Sequence, residues 1–395
     1  MGLVHNRGRG GLFNRGTNKT VISNWTKLKL FITTWDTEKA GSATKTIVIP
    51  TTGSGYNCGV DWGDGTIEKF AGIAPVISHV YATTGIKTIK IAGAFPRIYF
   101  NDSGDCLKLM TIEQWGKNKW SSMEGAFYGC QNLTGNYTDY PDTSLVTSMK
   151  SMFGNCYLFN SAVNFNTSEV TTMEAMFGHC HTFNQSLASF NTAKVTDMRA
   201  MFAYCWLFNQ SVSNFDTSEV TTMGSMFVEC VVFNQSVANF NTAKVTTMTF
   251  MFSTCQVFNQ SIAAFDTSNV TDMSYMFNRC YAFNQPVTTL NTSKVTTMAA
   301  MFAFCTNFNR STASFDVTQV TTMDGMFAYA NNLSTANYDD ILISYSAQAV
   351  KNSVLFHGGD AKYTAGGAAE AGRSHLILAV GSGGHGWTIT DGGAL

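Results

Sequence analysis

A cysteine recurs through the middle of this 395-residue chain at a nearly fixed interval. Cys130, Cys156, Cys180, Cys205, Cys230, Cys255, Cys280 and Cys305 are separated by steps of 24 to 26 residues. A methionine column keeps the same step from Met123 to Met323 and defines nine units over about residues 121–335. In the unit around Cys230 the apolar positions are Val220, Met223, Met226, Phe227, Cys230, Phe233 and Phe240. Their spacing of three and four suits a short helical or 3₁₀ turn with one apolar face. The Asn/Ser-rich segment after each Cys reads as extended. No single unit can bury such a face alone. The units are therefore expected to stack and share one continuous core.

The residues between the core columns fit stacking. The position before each Val runs Glu169, Lys194, Glu219, Lys244, Asn269, Lys294 and Gln319, alternating in sign where it is charged. Strands in register lie about 4.8 Å apart, so like charges would repel and opposite charges attract. Duplication of a two-unit block would give the same alternation. The asparagines Asn160, Asn184, Asn209, Asn234, Asn259, Asn284 and Asn309 form another column, expected to satisfy backbone groups at a coil corner. The cysteine column lies on the apolar stripe and is expected to hold free thiols, acting as small buried hydrophobes. A vertical ladder is poor geometry for disulfides, and Ala330 fills the same column in the last unit. Cys58 and Cys106 lie outside the repeat, and nothing in their spacing supports a pairing.

The ends differ in texture. Residues 25–118 contain KLKLFITTW, KTIVIP, GVDWGDGTIEKF and IKTIKIAG, short β-branched and aromatic runs between Gly, Asn and Asp turns. This patterning suits a β-sandwich. Asp64-Gly65 suits a tight turn needing positive φ. Asp61 and Asp64 are only two acids, too few for a calcium cage, and are assigned to the turn. Residues 336–395 are expected to form an α/β cap over the last open coil. In it Tyr338–Tyr345 reads as a helix, Ala361–Leu378 holds a second, and Val354–Phe356 and Trp387–Ile389 read as strands. Residues 1–24 form a Gly-rich basic arm with Arg7, Arg9, Arg15 and Lys19, expected to be disordered alone and to anchor the chain to a partner.

Composition narrows the function classes. Charged residues are 13%, against roughly 25% in ordinary soluble proteins. Nucleic-acid binding is not expected from so few charges, and the RGRGG arm is too short for much affinity. No apolar run reaches the ~18 residues of a membrane span. No secretory leader is expected from the first residues, and Asn6 breaks the myristoylation pattern. His179-Cys180-His181 resembles a metal triplet, but an inward Cys180 sends its neighbours elsewhere. His357, His375 and His385 match no ligand spacing. Asp339-Asp340 alone does not mark a glycosidase. No nucleophile triad, phosphate loop or dinucleotide fingerprint occurs in context. No catalytic residue, metal or cofactor is therefore expected. The threonines at 171, 196, 221, 246, 271, 296 and 321 form a polar ladder that could serve sugar binding, self-association or ice binding.

The motif AFYGCQNL (Ala126–Leu133) resembles bacterial leucine-rich repeats of the BspA-like surface-protein type. The MF-x-x-C-x-x-FN-Q-S and F-D-T-S-x-V-T-x-M units are similar to repeats of their surface-protein branch. Val60–Thr66, with His79-Val80-Tyr81 and Gly85, resembles a PKD-like immunoglobulin-type domain. Together these readings imply a mainly β chain with short helices. An N-terminal β-sandwich (25–118) precedes a leucine-rich-repeat-like solenoid of about nine coils (119–335) and the C-terminal cap. The expected function is a non-enzymatic virion-surface protein, a fibre or capsid decoration subunit. Its expected partners are other virion proteins through the N-terminal region, a host surface protein or glycan, and further copies of itself. A bacterial cell-surface adhesin is the alternative, and a glycan-degrading phage spike stands behind both.

Overall fold

The computed structural model describes residues 30–395. The basic arm and its Arg7, Arg9, Arg15 and Lys19 lie outside the described residues. The described chain is mainly β with two short α-helices. It comprises an N-terminal multi-strand sheet region, a long repeat region built largely of turns, and a small C-terminal α/β part.

The N-terminal strands are β1 (Phe31–Asp36), β2 (Thr46–Ile49), β3 (Tyr56–Asp61), β4 (Ile67–Gly72), β5 (Ile77–Val80), β6 (Ile86–Ala94) and β7 (Leu109–Gln114). In β1 the alternation is strict. Phe31, Thr33 and Trp35 are buried while Ile32, Thr34 and Asp36 are half-buried, as a strand with one core face requires. β1 pairs antiparallel with both β6 and β7, β3 pairs with β4 and β6, and β2 pairs with β5 in a separate two-stranded sheet. Trp62 follows β3, and its backbone N–H donates to Thr66 O across a turn holding Gly63 and Gly65 at positive φ. Asp61 and Asp64 accept hydrogen bonds from Gly63 N and Thr66 N, so each carboxylate ties its own turn. A two-residue strand, β8 (Thr134–Gly135), adds to β7 in parallel and completes the order β4-β3-β6-β1-β7-β8. The sheet thus crosses residue 118 and runs into the first repeat.

Beneath the N-terminal sheets sits an ion pair of Lys108 and Asp105, both side chains fully buried, with Nζ and Oδ1 3.5 Å apart. Lys108 donates to the carbonyls of Ser42, Ala43 and Thr46 and to Ser42 Oγ. Asp105 accepts from Ser42 N, Ser42 Oγ and Val48 N. The pair fastens the β1–β2 connection to the loop before β7, with its polar atoms satisfied as burial of charge demands.

The repeat region departs from the expected helical or 3₁₀ element. Val170, Met173, Met176, Phe177, Cys180 and Phe183 are all fully buried, but no helix forms between them. Two residues per coil take left-handed backbone, for example Ala175 (φ 49°) and His179 (φ 60°). These left-handed residues break the chain into successive i→i−3 turns. The consequence is an alternating hydrogen-bond pattern. Met176, Gly178 and Cys180 donate within their coil, to Met173, Ala175 and Phe177. Ala175, Phe177 and His179 donate to Arg199, Met201 and Ala203 of the next coil. A helix would spend every N–H on its own turn. This backbone spends half of them on its neighbour, and so zips coil to coil. Isolated parallel bridges such as Ser148↔Thr172, Thr172↔Asp197 and Asp272↔Thr297 mark the same stacking elsewhere on the coil.

The ladder continues into the C-terminal part. β9 (Thr322–Met323) pairs in parallel with β10 (Leu355–His357), which pairs with β11 (Thr388–Thr390). Helix α1 (Thr335–Ser346) begins at Ser334, whose side chain accepts from Asn337 N, a standard N-cap. It buries Tyr338, Ile341, Leu342 and Tyr345. Helix α2 (Ala368–Ile377) packs against it. Tyr338 Oη and Arg373 both donate to Asp391, joining the two helices to the chain end.

Candidate recognition surface

The columns of the repeat sort into those that hold coils together and those left over. Two phenylalanine columns form the centre. Phe177, Phe202, Phe227 and Phe252 stack with successive centroids 5.6 to 5.9 Å apart. Phe183, Phe208, Phe233 and Phe258 form a parallel series at 6.0 to 6.1 Å. Offset parallel rings at this separation add to the burial energy.

Cys130, Cys156, Cys180, Cys205, Cys230, Cys255, Cys280 and Cys305 are all buried free thiols. From Cys156 onward each Sγ donates to a phenylalanine carbonyl of the preceding coil; Cys230 reaches Phe202 O at 3.0 Å. Burial pushes these thiols well above their ordinary range, so they stay neutral and unreactive while folded. Cys58, in β3, is pushed up to about 11 by burial.

The asparagines form a relay. Asn184, Asn209, Asn234, Asn259 and Asn284 each present Oδ1 to the backbone N–H of the asparagine in the next coil, at 3.0 Å. In the middle coils the same oxygen also accepts from the next coil's glutamine, as Asn234 does from Gln260. Buried threonines such as Thr192 and Thr242 donate to the following coil's carbonyl. The exposed threonines at 196, 221 and 246 donate to the preceding coil. Lys194 meets Glu169 and Lys244 meets Glu219, each at 2.7 Å, while Lys294 reaches Asn269 at the same distance. All these polar groups are used in stacking.

One face is different. It carries the two left-handed columns, and sequence reasoning missed it. One column is Ser151, Ala175, Ala200, Ser225, Phe250, Tyr275 and Ala300; the other is Asn155, His179, Tyr204, Glu229, Thr254, Arg279, Phe304 and Tyr329. Gly125, Gly129 and Gly325 occupy the same columns at positive φ. With Asn155 they were the available signal, since Gly and Asn are the residues that enter this region readily. A non-Gly residue held there is strained by about 1–3 kcal/mol, and here the inter-coil bonds hold it.

Rings gather on this face and beside it. His179 stacks on Tyr204 at 4.2 Å, Phe250 on Tyr275 at 4.5 Å and Phe304 on Tyr329 at 4.5 Å. In the position after cysteine, His181 lies between Tyr157 at 4.6 Å and Trp206 at 3.9 Å. His179 and His181 flank Cys180, which points into the core, and their rings are 6.2 Å apart. Burial lowers the pKa of both histidines. Between Tyr128 and Phe250 the face sinks into a groove of about 560 Å³.

The other candidate positions are dispersed. His375 and His385 meet edge to face at 5.0 Å, while His357 accepts from Gly359 N elsewhere. Asp339 accepts from Thr364. Among the described residues no three His, Cys, Asp or Glu side chains converge as a metal site. No helix among them is long and apolar enough to cross a membrane.

Comparison with known proteins gives one match. Residues 121–240 and 225–340 match the family described as "Mycoplasma protein of unknown function, DUF285". No curated protein and no solved structure matches the chain. The two matched segments together span more than half of the sequence and coincide with the cysteine-bearing coils, so the chain belongs to the DUF285 family.

Proposed function

We propose that this chain is a non-enzymatic surface protein that displays its repeat stack for attachment or assembly. In this reading the stack is a BspA-like, leucine-rich-repeat-type solenoid, closed at one end by the α/β part. The N-terminal sheets are a PKD-like immunoglobulin-type module that, with the basic residues before it, anchors the molecule. One observation carries the reading. The stack spends its repeated polar side chains on holding coils together, yet one face keeps rings and polar groups free of that duty. A long rigid body with a single differentiated face suits recognition.

The favoured location is a virion surface, as a fibre or capsid decoration subunit. A bacterial cell surface is the second reading, favoured by the Mycoplasma in the family's description. Mass spectrometry of purified particles, with copy number, separates them. Hundreds of copies would support decoration, and small multiples of three or six would support a fibre. Absence from particles together with detection on cells would establish the adhesin. A spike enzyme would release oligosaccharide from host glycan, and no such release is expected.

A further inference from the structure

The groove between Tyr128 and Phe250 is lined by small residues, rings and neutral polar groups. Its floor is Gly154, Gly178, Ala175, Ala200 and Ala203. Its ends are rings. Tyr128 stands over Gly154, where an added Cβ would meet the ring at 2.9 Å. Phe250 has one face covered by Tyr275 and lines the groove from the other side. His179 and Tyr204 line it as a stacked pair. The volume lies within the range of about 300–1,000 Å³ usual for small-ligand sites.

Two features define what the groove can hold. First, no Asp, Glu, Lys or Arg lines it. Charge enters the His179–Tyr204 column at Glu229 and Arg279, neither of which lines the groove, and the nearby Lys150 and Arg199 both pair with Glu174, at 2.7 and 3.4 Å. Burial lowers the pKa of His179 and so favours its neutral form. An anionic polymer or a nucleic acid would find no cation among the lining residues. Second, the polar side chains of Ser151, Asn155, His179, Tyr204 and Ser225 make no hydrogen bond to other described residues, whereas the asparagine oxygens and threonines such as Thr192 bond to the neighbouring coil. The floor's backbone is already committed: Ala175 N–H goes to Arg199 O and Gly178 N–H to Ala175 O. An extended peptide that binds by adding a strand needs open main-chain groups, and these are not offered. Neutral hydroxyl, amide and imidazole groups are offered instead, between two ring faces.

We infer that this groove binds a neutral oligosaccharide, lying along the stack with its hydroxyls on the free side chains and its C–H faces against Tyr128 and Phe250. The inference rests on the recognition reading above and deepens it by naming the ligand class.

The test uses the full chain with cellohexaose, maltohexaose and N-acetylchitohexaose as probes, hexagalacturonate as the anionic counterpart, and a proline-rich decapeptide as the peptide counterpart. Saturation-transfer NMR detects contact and calorimetry measures affinity. Gly178→Leu fills the floor, where an added Cβ meets nothing nearer than 3.5 Å, and circular dichroism checks that the variant keeps its fold. Gly224→Leu has equal room and lies outside the groove, and serves as control. A second blocking variant, His179→Ala with Tyr204→Phe, removes polar groups without adding bulk. The expected result is binding of at least one neutral hexasaccharide with Kd of about 1 mM or tighter. Both blocking variants should weaken it by about tenfold or more, with the control within about twofold. Failure of all three neutral sugars, preference for the peptide or the uronate, or unchanged binding in Gly178→Leu would overturn the inference. A protein found on particles or cells but inert to these sugars would leave the surface reading standing and remove only the groove.

Discussion

The N-terminal sheets and the repeat stack solve the same problem of buried polar groups in opposite ways. In the sheets, each solution is used once. Lys108 and Asp105 are held by a set of partners from residues 42–48 that has no second copy. In the stack, each solution is copied. Asn234 serves Asn259 as Asn209 serves Asn234. Each region is therefore fragile in its own way. A defect in the sheets has no neighbour to share it. A defect in the stack is bounded by intact coils on both sides, because coils contact only adjacent coils.

Alkali should separate the regions most strongly. The thiol column has raised pKa values in the fold. The neutral form is favoured there, so this contribution is fully present below the unfolded thiol value of about 8.5 and is lost as pH rises above it. The limiting loss is about 1.4 kcal/mol per thiol per pH unit, repeated at every buried cysteine of the column. Circular dichroism under reducing conditions should show the stack unfolding in mild alkali. Replacing several column cysteines by alanine should move that transition upward, and an unmoved transition would break the argument.

Asp105→Ala should come next, with a loss of about 3–5 kcal/mol, because it leaves Lys108 charged, buried and unpaired. Denaturant unfolding followed by tryptophan fluorescence measures it, since Trp35, Trp62, Trp115 and Trp120 are buried in that region. Asn234→Ala should cost about 1–3 kcal/mol by stranding Asn259 N and Gln260 Nε2. Hydrogen exchange should place that loss in the two coils beside the substitution. Lys244→Ala should cost only about 0.2–1 kcal/mol, for its pair with Glu219 is exposed, and the difference should shrink in high salt.

Legibility followed the same division. The columns of Met, Phe, Cys and Asn could be read because their roles repeat, and repetition makes a pattern visible without any partner being known. The β1 and β3 runs could be read from alternation, yet the order β4-β3-β6-β1-β7-β8 could not, because β1 pairs with residues such as Ile91 and Gln114, far along the chain. The second helix was narrower than its window, Ala368–Ile377, and β10 and β11 lay one residue later than expected. The left-handed columns were hidden for a physical reason. Their conformation is imposed by bonds to the next coil, so residues as ill-suited as Thr254 (φ 62°) and Phe250 (φ 58°) occupy it. Only Gly125, Gly129, Asn155 and Gly325 betray it by type, and the groove depends on those columns.

The asparagine, phenylalanine and cysteine columns bind each coil to its neighbour in register, with charge alternating coil by coil from Glu169 to Lys244. Deletion of residues 194–243 tests this most directly. The deletion removes two whole coils and sets Lys244 beside Glu169 in place of Lys194. The shortened protein is expected to melt cooperatively, with its remaining column thiols inert to a thiol reagent at neutral pH until it unfolds. A soluble but molten product with reactive thiols would contradict it.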